Sequence, residues 1–199
     1  MSIIQKDFYI RPDVVLIARE LIGKLLVTNF GGKITSGIIV ETEAYEGVTD
    51  RASHAYSGRR SNRTEIMYQA GGTAYVYLCY GVHSLFNIVT NVEGIPHAVL
   101  IRGIIPVDGI KIMLERTGKA VMLKNFSSGP GKVARALGIH YSHSGIQLIT
   151  KSYETRDAGI WLEENNLLQN REKIKITRRI GVDYAGSDAF LPYRFVYQE

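Results

Sequence analysis

The stretch Leu25-Leu-Val-Thr-Asn-Phe-Gly31-Gly32-Lys-Ile-Thr-Ser-Gly-Ile-Ile-Val-Glu-Thr-Glu-Ala-Tyr45 decides the fold. Leu25–Phe30 and Ile34–Tyr45 are apolar, β-branched runs. Gly31-Gly32 between them accepts the positive backbone angles of a tight turn, so the stretch predicts an antiparallel hairpin. Toward the N-terminus, Val15, Ala18, Leu21 and Ile22 recur at helical spacing within Pro12–Ile22, and Gly23 stands ready to stop that helix. Toward the C-terminus, Ala74–Tyr80 and Leu85–Thr90 flank a turn around Gly81 and predict a second hairpin, which Ala98–Val107 extends. A helix is expected near Gly109–Arg116. Another spans Ser128–Gly138, with Ser128 as its cap, Pro130 in the first turn and Gly138 past the end. Ile146–Thr150, Ile160–Glu163, Ile174–Val182 and Tyr193–Tyr197 read as further strands. Because short loops join the strands, the pattern predicts an α+β fold: one mixed domain over residues 1–199, with a curved, antiparallel-rich sheet, a protruding hairpin and surrounding helices.

Composition narrows the function classes. The 199 residues are 45% hydrophobic and 22% charged, values of an ordinary folded domain. The single cysteine, Cys79, supplies neither an internal disulfide nor a thiolate metal cage, which fits a reducing, cytoplasmic setting. No apolar run approaches the roughly 18 residues of a membrane span, and the first residues lack a signal-peptide pattern. No membrane partner is expected. The net charge is +5, and the excess sits in the middle: residues 51–150 carry 11 basic and 4 acidic side chains. Such a positive field favours a polyanion.

Side-chain alternation along Ile38–Tyr45 places Glu41, Glu43 and Tyr45 on one face and Ile38, Val40, Thr42 and Ala44 on the other. A carboxylate on a rigid strand can align and deprotonate water, although carboxylates two apart are also common on solvent-facing strands. Six of the twelve tyrosines lie within residues 45–80, interleaved with Arg51, Arg59, Arg60 and Arg63. Aromatic faces stack on bases and guanidinium groups take phosphates. Tyr80, at a hairpin tip beside Gly81, is a candidate wedge for prising a base from a duplex. Gly129-Pro-Gly-Lys132 lacks the spacing of a nucleotide-hydrolysing loop, but leaves room for a phosphate contact. His140 and His143 have no carboxylate or cysteine cluster beside them, so no metal and no other cofactor is expected.

Ile39–Tyr45, Gly72–Gly81, Phe86-Asn-Ile88 and Val99-Leu-Ile-Arg102, with His54 and Ser128-Gly-Pro130, together resemble the alkyladenine (3-methyladenine) DNA glycosylase family in the same order over nearly the whole chain. The resemblance implies hydrolysis of the N-glycosidic bond of damaged purines in double-stranded DNA, by a monomer and without strand cleavage. Candidate substrates are 3-methyladenine, 7-methylguanine, hypoxanthine and etheno-adenine. By position, Glu43 resembles the general base and Arg102 the residue that helps hold the attacking water, with Glu41 in support. Tyr45, His54 and Tyr77 resemble the walls of the base pocket, Asn87 the residue that crowds guanine's amino group, and Tyr80 the wedge. Val82 and His83 stand at flanking hairpin positions where the family pattern has a Met followed by an aromatic. Arg59, Arg60, Arg63 and Lys132 are the expected phosphate contacts. Two other classes remain open on the residues alone: a nucleic-acid-binding module without catalysis, which would leave Glu43 and Arg102 unused, and a nucleoside hydrolase, which would not need the basic surface.

Overall fold

The computed structural model describes residues 2–148, 159–165, 167–168 and 170–198. Among the described residues four α-helices, α1 (Lys6–Tyr9), α2 (Val14–Leu21), α3 (Ile110–Thr117) and α4 (Pro130–Leu137), surround an open sheet. Its strands are β1 (Leu25–Phe30), β2 (Lys33–Tyr45), β3 (Ala74–Cys79), β4 (His83–Thr90), β5 (His97–Asp108), β6 (Gly159–Glu163), β7 (Ile174–Thr177) and β8 (Arg194–Tyr197). The order is β3-β4-β5-β2-β1-β6, with β8 pairing both β2 and β7, and every pair is antiparallel. The α+β class follows directly from this arrangement.

The predicted first hairpin forms with Gly31 and Gly32 at φ 63° and 77°. Strand β2 is long enough to pair with β1 through Lys33–Ile38 and with β8 through Glu41–Glu43, while β5 lies along its other edge. The β2–β5 register breaks three times: Ser36 opposes Asp108 and Gly37 opposes Pro106, leaving Val107 over; Ile39 opposes Ile104 and Glu41 opposes Gly103, leaving Val40 over; and Thr42 opposes Ile101, leaving Arg102 over. Bulges of this kind bend a strand and re-aim its side chains. Strict alternation therefore fails before Val40. Ile39 joins Ala44 in the main core, whereas Ile38 packs with Leu25, Val27 and Trp161 in a separate cluster.

Helix α2 is shorter than the expected Pro12–Ile22, because Asp13 caps it by accepting the Leu16 amide at 2.8 Å. Its buried residues Val14, Ile17, Ala18 and Leu21 pack in the main core with Val133, Ala136 and Leu137 of α4. Helix α4 begins at Gly129, not at a Ser128 cap; Ser128 instead bridges to Gly103, and the Gly129 amide donates to the carbonyl of bulged Arg102 at 2.8 Å. Two predicted strands are corrected. Within 146–148 only an isolated bridge between Gln147 and Thr73 forms, and 149–150 lie outside the described residues. The Ile174–Val182 run leaves the sheet after Thr177, so 178–182 cross a different part of the molecule.

Candidate active site

The second hairpin, β3–β4, closes with Cys79 opposite His83 and a Tyr80-Gly81-Val82 loop in which Tyr80 (φ 51°) and Gly81 (φ 71°) both take left-handed backbone. Tyr80 is 94% exposed at this tip, and Val82 and His83 beside it are exposed too. His83 faces the start of α4: a Cβ on Gly131 would lie 3.3 Å from the His83 Cβ.

Behind the tip, the hairpin and β2 enclose a cleft of about 290 Å3, near the lower limit for small-molecule pockets. Tyr45, His54, Tyr77, Asn87 and Arg102 all line it, as does Tyr80 at its mouth. The imidazole of His54 packs edge-on against Tyr77, with ring centroids 4.7 Å apart, and its Nδ1 hydrogen-bonds the Tyr75 hydroxyl at 2.8 Å. Burial, reinforced by the charges of Arg63 and Arg59, depresses the His54 pKa to about 4, so the ring is neutral at physiological pH. Asn87 is pinned by donating from Nδ2 to the Tyr75 carbonyl at 3.2 Å. Burial also raises the tyrosine pKa values of Tyr45 and Tyr77, keeping both phenols protonated.

Glu43 lies beneath the cleft floor. It is 0% exposed, so at Glu43 strand β2 presents neither a solvent-facing carboxylate nor one open to the cleft. Its Oε2 accepts from the Tyr45 hydroxyl at 2.8 Å, its Oε1 accepts from the Ile180 amide at 2.8 Å, and Arg102 reaches it from Nε at 3.3 Å and from Nη1 at 3.5 Å. Tyr45, Ile180 and Arg102 all line the cleft, so the carboxylate lies one hydrogen bond below it. Burial raises the Glu43 pKa, while the Arg102 charge, the Ile180 amide and the Tyr45 hydroxyl pull it back. Arg102 gives its shorter bond, 2.9 Å from Nε, to Glu41, which also accepts from Arg194 at 2.7 Å. Glu41 thus anchors two guanidinium groups, on the same face as Glu43. Gly103 makes room for it, since a Cβ there would lie 3.0 Å from the Glu41 Cβ.

The expected phosphate contacts are dispersed. Exposed Arg59 lines a recess beside the cleft with Arg51, Tyr56 and Tyr184. Arg63 lies 6.0 Å from the Tyr77 ring. Arg60 is turned onto Tyr68 at 4.0 Å and pairs with Glu65 at 3.5 Å. Lys132 is exposed but donates to the Asn125 carbonyl at 3.2 Å, beside a separate groove near Val121 and Leu123. Tyr75, one of the six tyrosines within residues 45–80 and on the strand face of Tyr77, also lines the cleft, although sequence reading gave it no place in the site. Sequence reading missed Tyr184, the Ile180 amide, and the Asp50–Arg179 and Arg194 contacts, all of which depend on long-range pairing. Among the described residues, no group of three or more His, Cys, Asp and Glu is placed to hold a metal ion, and no helix is long and apolar enough to cross a membrane.

Fold and site together define a class: an α+β domain whose antiparallel sheet carries an aromatic cleft with an arginine-held carboxylate beneath it. The family model for methylpurine-DNA glycosylase (MPG) matches residues 7–199. A protein of Chlamydia felis named "Putative 3-methyladenine DNA glycosylase" is 43% identical over 192 residues, covering 96% of this chain and 94% of the relative. Relatives with the same printed name in Clostridium perfringens (41% over 201 residues, 98% and 95% covered) and Bacillus thuringiensis (42% over 197 residues, 96% and 94% covered) match similarly. The chain belongs to the methylpurine-DNA glycosylase family.

Proposed function

We propose that residues 1–199 form one monofunctional DNA glycosylase domain that hydrolyses the N-glycosidic bond of alkylated or deaminated purines extruded from duplex DNA: 3-methyladenine, 7-methylguanine, hypoxanthine and etheno-adenine. The observation that supports this reading is a cleft walled by Tyr45, His54 and Tyr77 whose lining residues Tyr45, Ile180 and Arg102 each contact the Glu43 carboxylate buried one hydrogen bond beneath it. Tyr80 enters the stack in place of the extruded base, which lodges between the aromatic walls. The approach to the carboxylate runs past Arg102, whose contacts with Glu43 at 3.3 and 3.5 Å are the longest that Glu43 makes. A water entering there takes over the long Nη1 contact while the Glu41 bond keeps the guanidinium in place.

Glu43 removes a proton from that water as its oxygen bonds to C1′ of the sugar. The C1′–N bond breaks and its electron pair leaves with the purine. A cationic methylated purine departs neutral and needs no proton, whereas neutral hypoxanthine or etheno-adenine takes up one proton from solvent as it departs, balancing the one Glu43 removes from water. Stacking of such a cation on a tyrosine face contributes on the order of 0.5–2 kcal/mol. Arg179 already lies 4.8 Å from the Tyr45 ring, and Arg63 lies farther from the Tyr77 ring, at 6.0 Å.

The decisive experiment incubates the protein with a duplex containing one 7-methylguanine and measures free base. Release from the wild type and loss of release in Glu43→Gln, with lesion binding kept, is the expected result. Binding without release would show a non-catalytic module, and faster cleavage of the free nucleoside would show a nucleoside hydrolase.

A further inference from the structure

Arg179 and Asp50 form an ion pair sealed inside the protein, their side chains 0% and 1% exposed. Burying two charges is costly, and replacing such a pair with apolar residues is often neutral or stabilising, so fold stability is a weak reason for it. Its bonds join segments whose residues Tyr45, Ala52 and Ile180 line the cleft. Arg179 Nη1 and Nη2 both donate to the Asp50 carboxylate, Nη1 also donates to the Ala44 carbonyl at 2.9 Å, and Nη2 to the Asp188 carbonyl at 3.1 Å. Asp50 in turn accepts from the amides of Glu46 at 3.1 Å and Ala52 at 2.9 Å. The pair therefore ties the end of β2, the 46–52 turn and the 179–188 segment at one point.

Two consequences reach Glu43. The Arg179 guanidinium lies 4.8 Å from the centroid of the Tyr45 ring, whose hydroxyl bonds Glu43 Oε2. The residue after Arg179 is Ile180, whose amide bonds Glu43 Oε1. Each carboxylate oxygen thus has one neutral donor, and Arg179 places both of them. We propose that Arg179, held by Asp50, is a positioning residue for water activation: it fixes Tyr45 as cleft wall and Ile180 as amide donor, so that the Glu43 carboxylate stays aimed. This rests on the reading of Glu43 as general base.

The test uses Arg179→Lys, which keeps the charge but not the four-way fork, and the double variant Asp50→Asn/Arg179→Gln, which leaves no unpaired buried charge. Folding is checked by circular dichroism and thermal melting. Single-turnover release of 7-methylguanine from duplex is then followed across pH. Excision in both variants is expected to fall about 100-fold, the usual cost of misplacing a reacting group by an ångström. Lesion-duplex affinity should change less than about threefold, well below that loss. The acid limb of the rate profile should move to higher pH, because the Ile180 amide that holds down the Glu43 pKa is displaced. A merely structural pair would lower the melting temperature and leave that limb unmoved. An unmoved limb with near-wild-type excision in either folded variant overturns the proposal. So does failure of both to fold, which would assign the pair to stability. Glu43→Gln is run alongside: if it excises normally, the general-base reading falls first and this proposal with it. If it is inactive while the acid limb of the folded variants stays in place, only the role of Arg179 falls.

Discussion

Tyr80→Ser separates what the hairpin tip contributes to DNA from what it contributes to the fold. The ring is 94% exposed and its residue takes left-handed backbone at φ 51°, which costs an L-residue roughly 1–2 kcal/mol. Serine removes almost no buried surface, so stability should stay within about 0.5 kcal/mol of wild type. On paired DNA the loss is of a different size. Stacking of one aromatic side chain on a base contributes about 1–3 kcal/mol, which at 1.36 kcal/mol per factor of ten predicts excision from a duplex about 5- to 150-fold slower. A lesion in single-stranded DNA of the same sequence has no stack to fill, and its excision should change by less than about twofold, because the stacking contribution is absent. Single-turnover release of 7-methylguanine from both substrates, with thermal melting of the protein, measures all three quantities. Equal losses on duplex and single strand would refute the wedge, because the tyrosine would then act inside the cleft and not on the helix.

Three further outcomes follow from the charges around the cleft. Burial raises the Glu43 pKa, so the stability this group contributes is fully present below the ordinary carboxylate range and is lost as pH rises through the raised value. Glu43→Gln should therefore melt higher than wild type at pH 7, with the gap closing in acid; a lower melting temperature at pH 7 would show that the Arg102 attraction outweighs desolvation. For His54 the sign is opposite: its folded pKa of about 4 lies below the ordinary 6.5, so the unfolded chain takes the proton first. Stability from the neutral ring is present above pH 6.5 and lost as pH falls toward about 4, with a slope of at most about 1.4 kcal/mol per pH unit, reduced by the ring's partial exposure. Urea midpoints of wild type and His54→Asn should converge over that window, and a constant gap would contradict the neutral ring. In salt titrations of DNA binding, Arg59→Ala should reduce the log–log slope by about 1. Arg60→Ala should leave it unchanged, because that guanidinium is already stacked on Tyr68 and paired with Glu65.

The two hairpins were legible because their signals are local: paired glycines at one turn, Gly81 at the other, and β-branched or aromatic runs on either side. The shared face of Glu43 and Tyr45 was legible for a related reason, parity within one strand, whereas Tyr45, His54 and Tyr77 were named as walls by the family resemblance alone. Parity assumes an unbroken ladder, however, and the ladder breaks at Val107, at Val40 and at Arg102. Nothing in Val99-Leu-Ile-Arg102 marks the last residue as the one without a strand partner. Yet that bulge lets Arg102 bond Glu41 and still reach Glu43, while its carbonyl accepts the Gly129 amide that opens α4. The sharpest departure is at residues 174–182, whose composition asks for one continuous strand. After Thr177 the chain instead turns inward, Arg179 pairing with Asp50 across 129 positions and the Ile180 amide with Glu43 across 137. An amide that local pattern assigns to a sheet neighbour is given to a buried carboxylate, which no window of neighbouring residues can reveal. At residues 178–182 the local strand rule therefore gives way to the long-range contacts with Asp50 and Glu43.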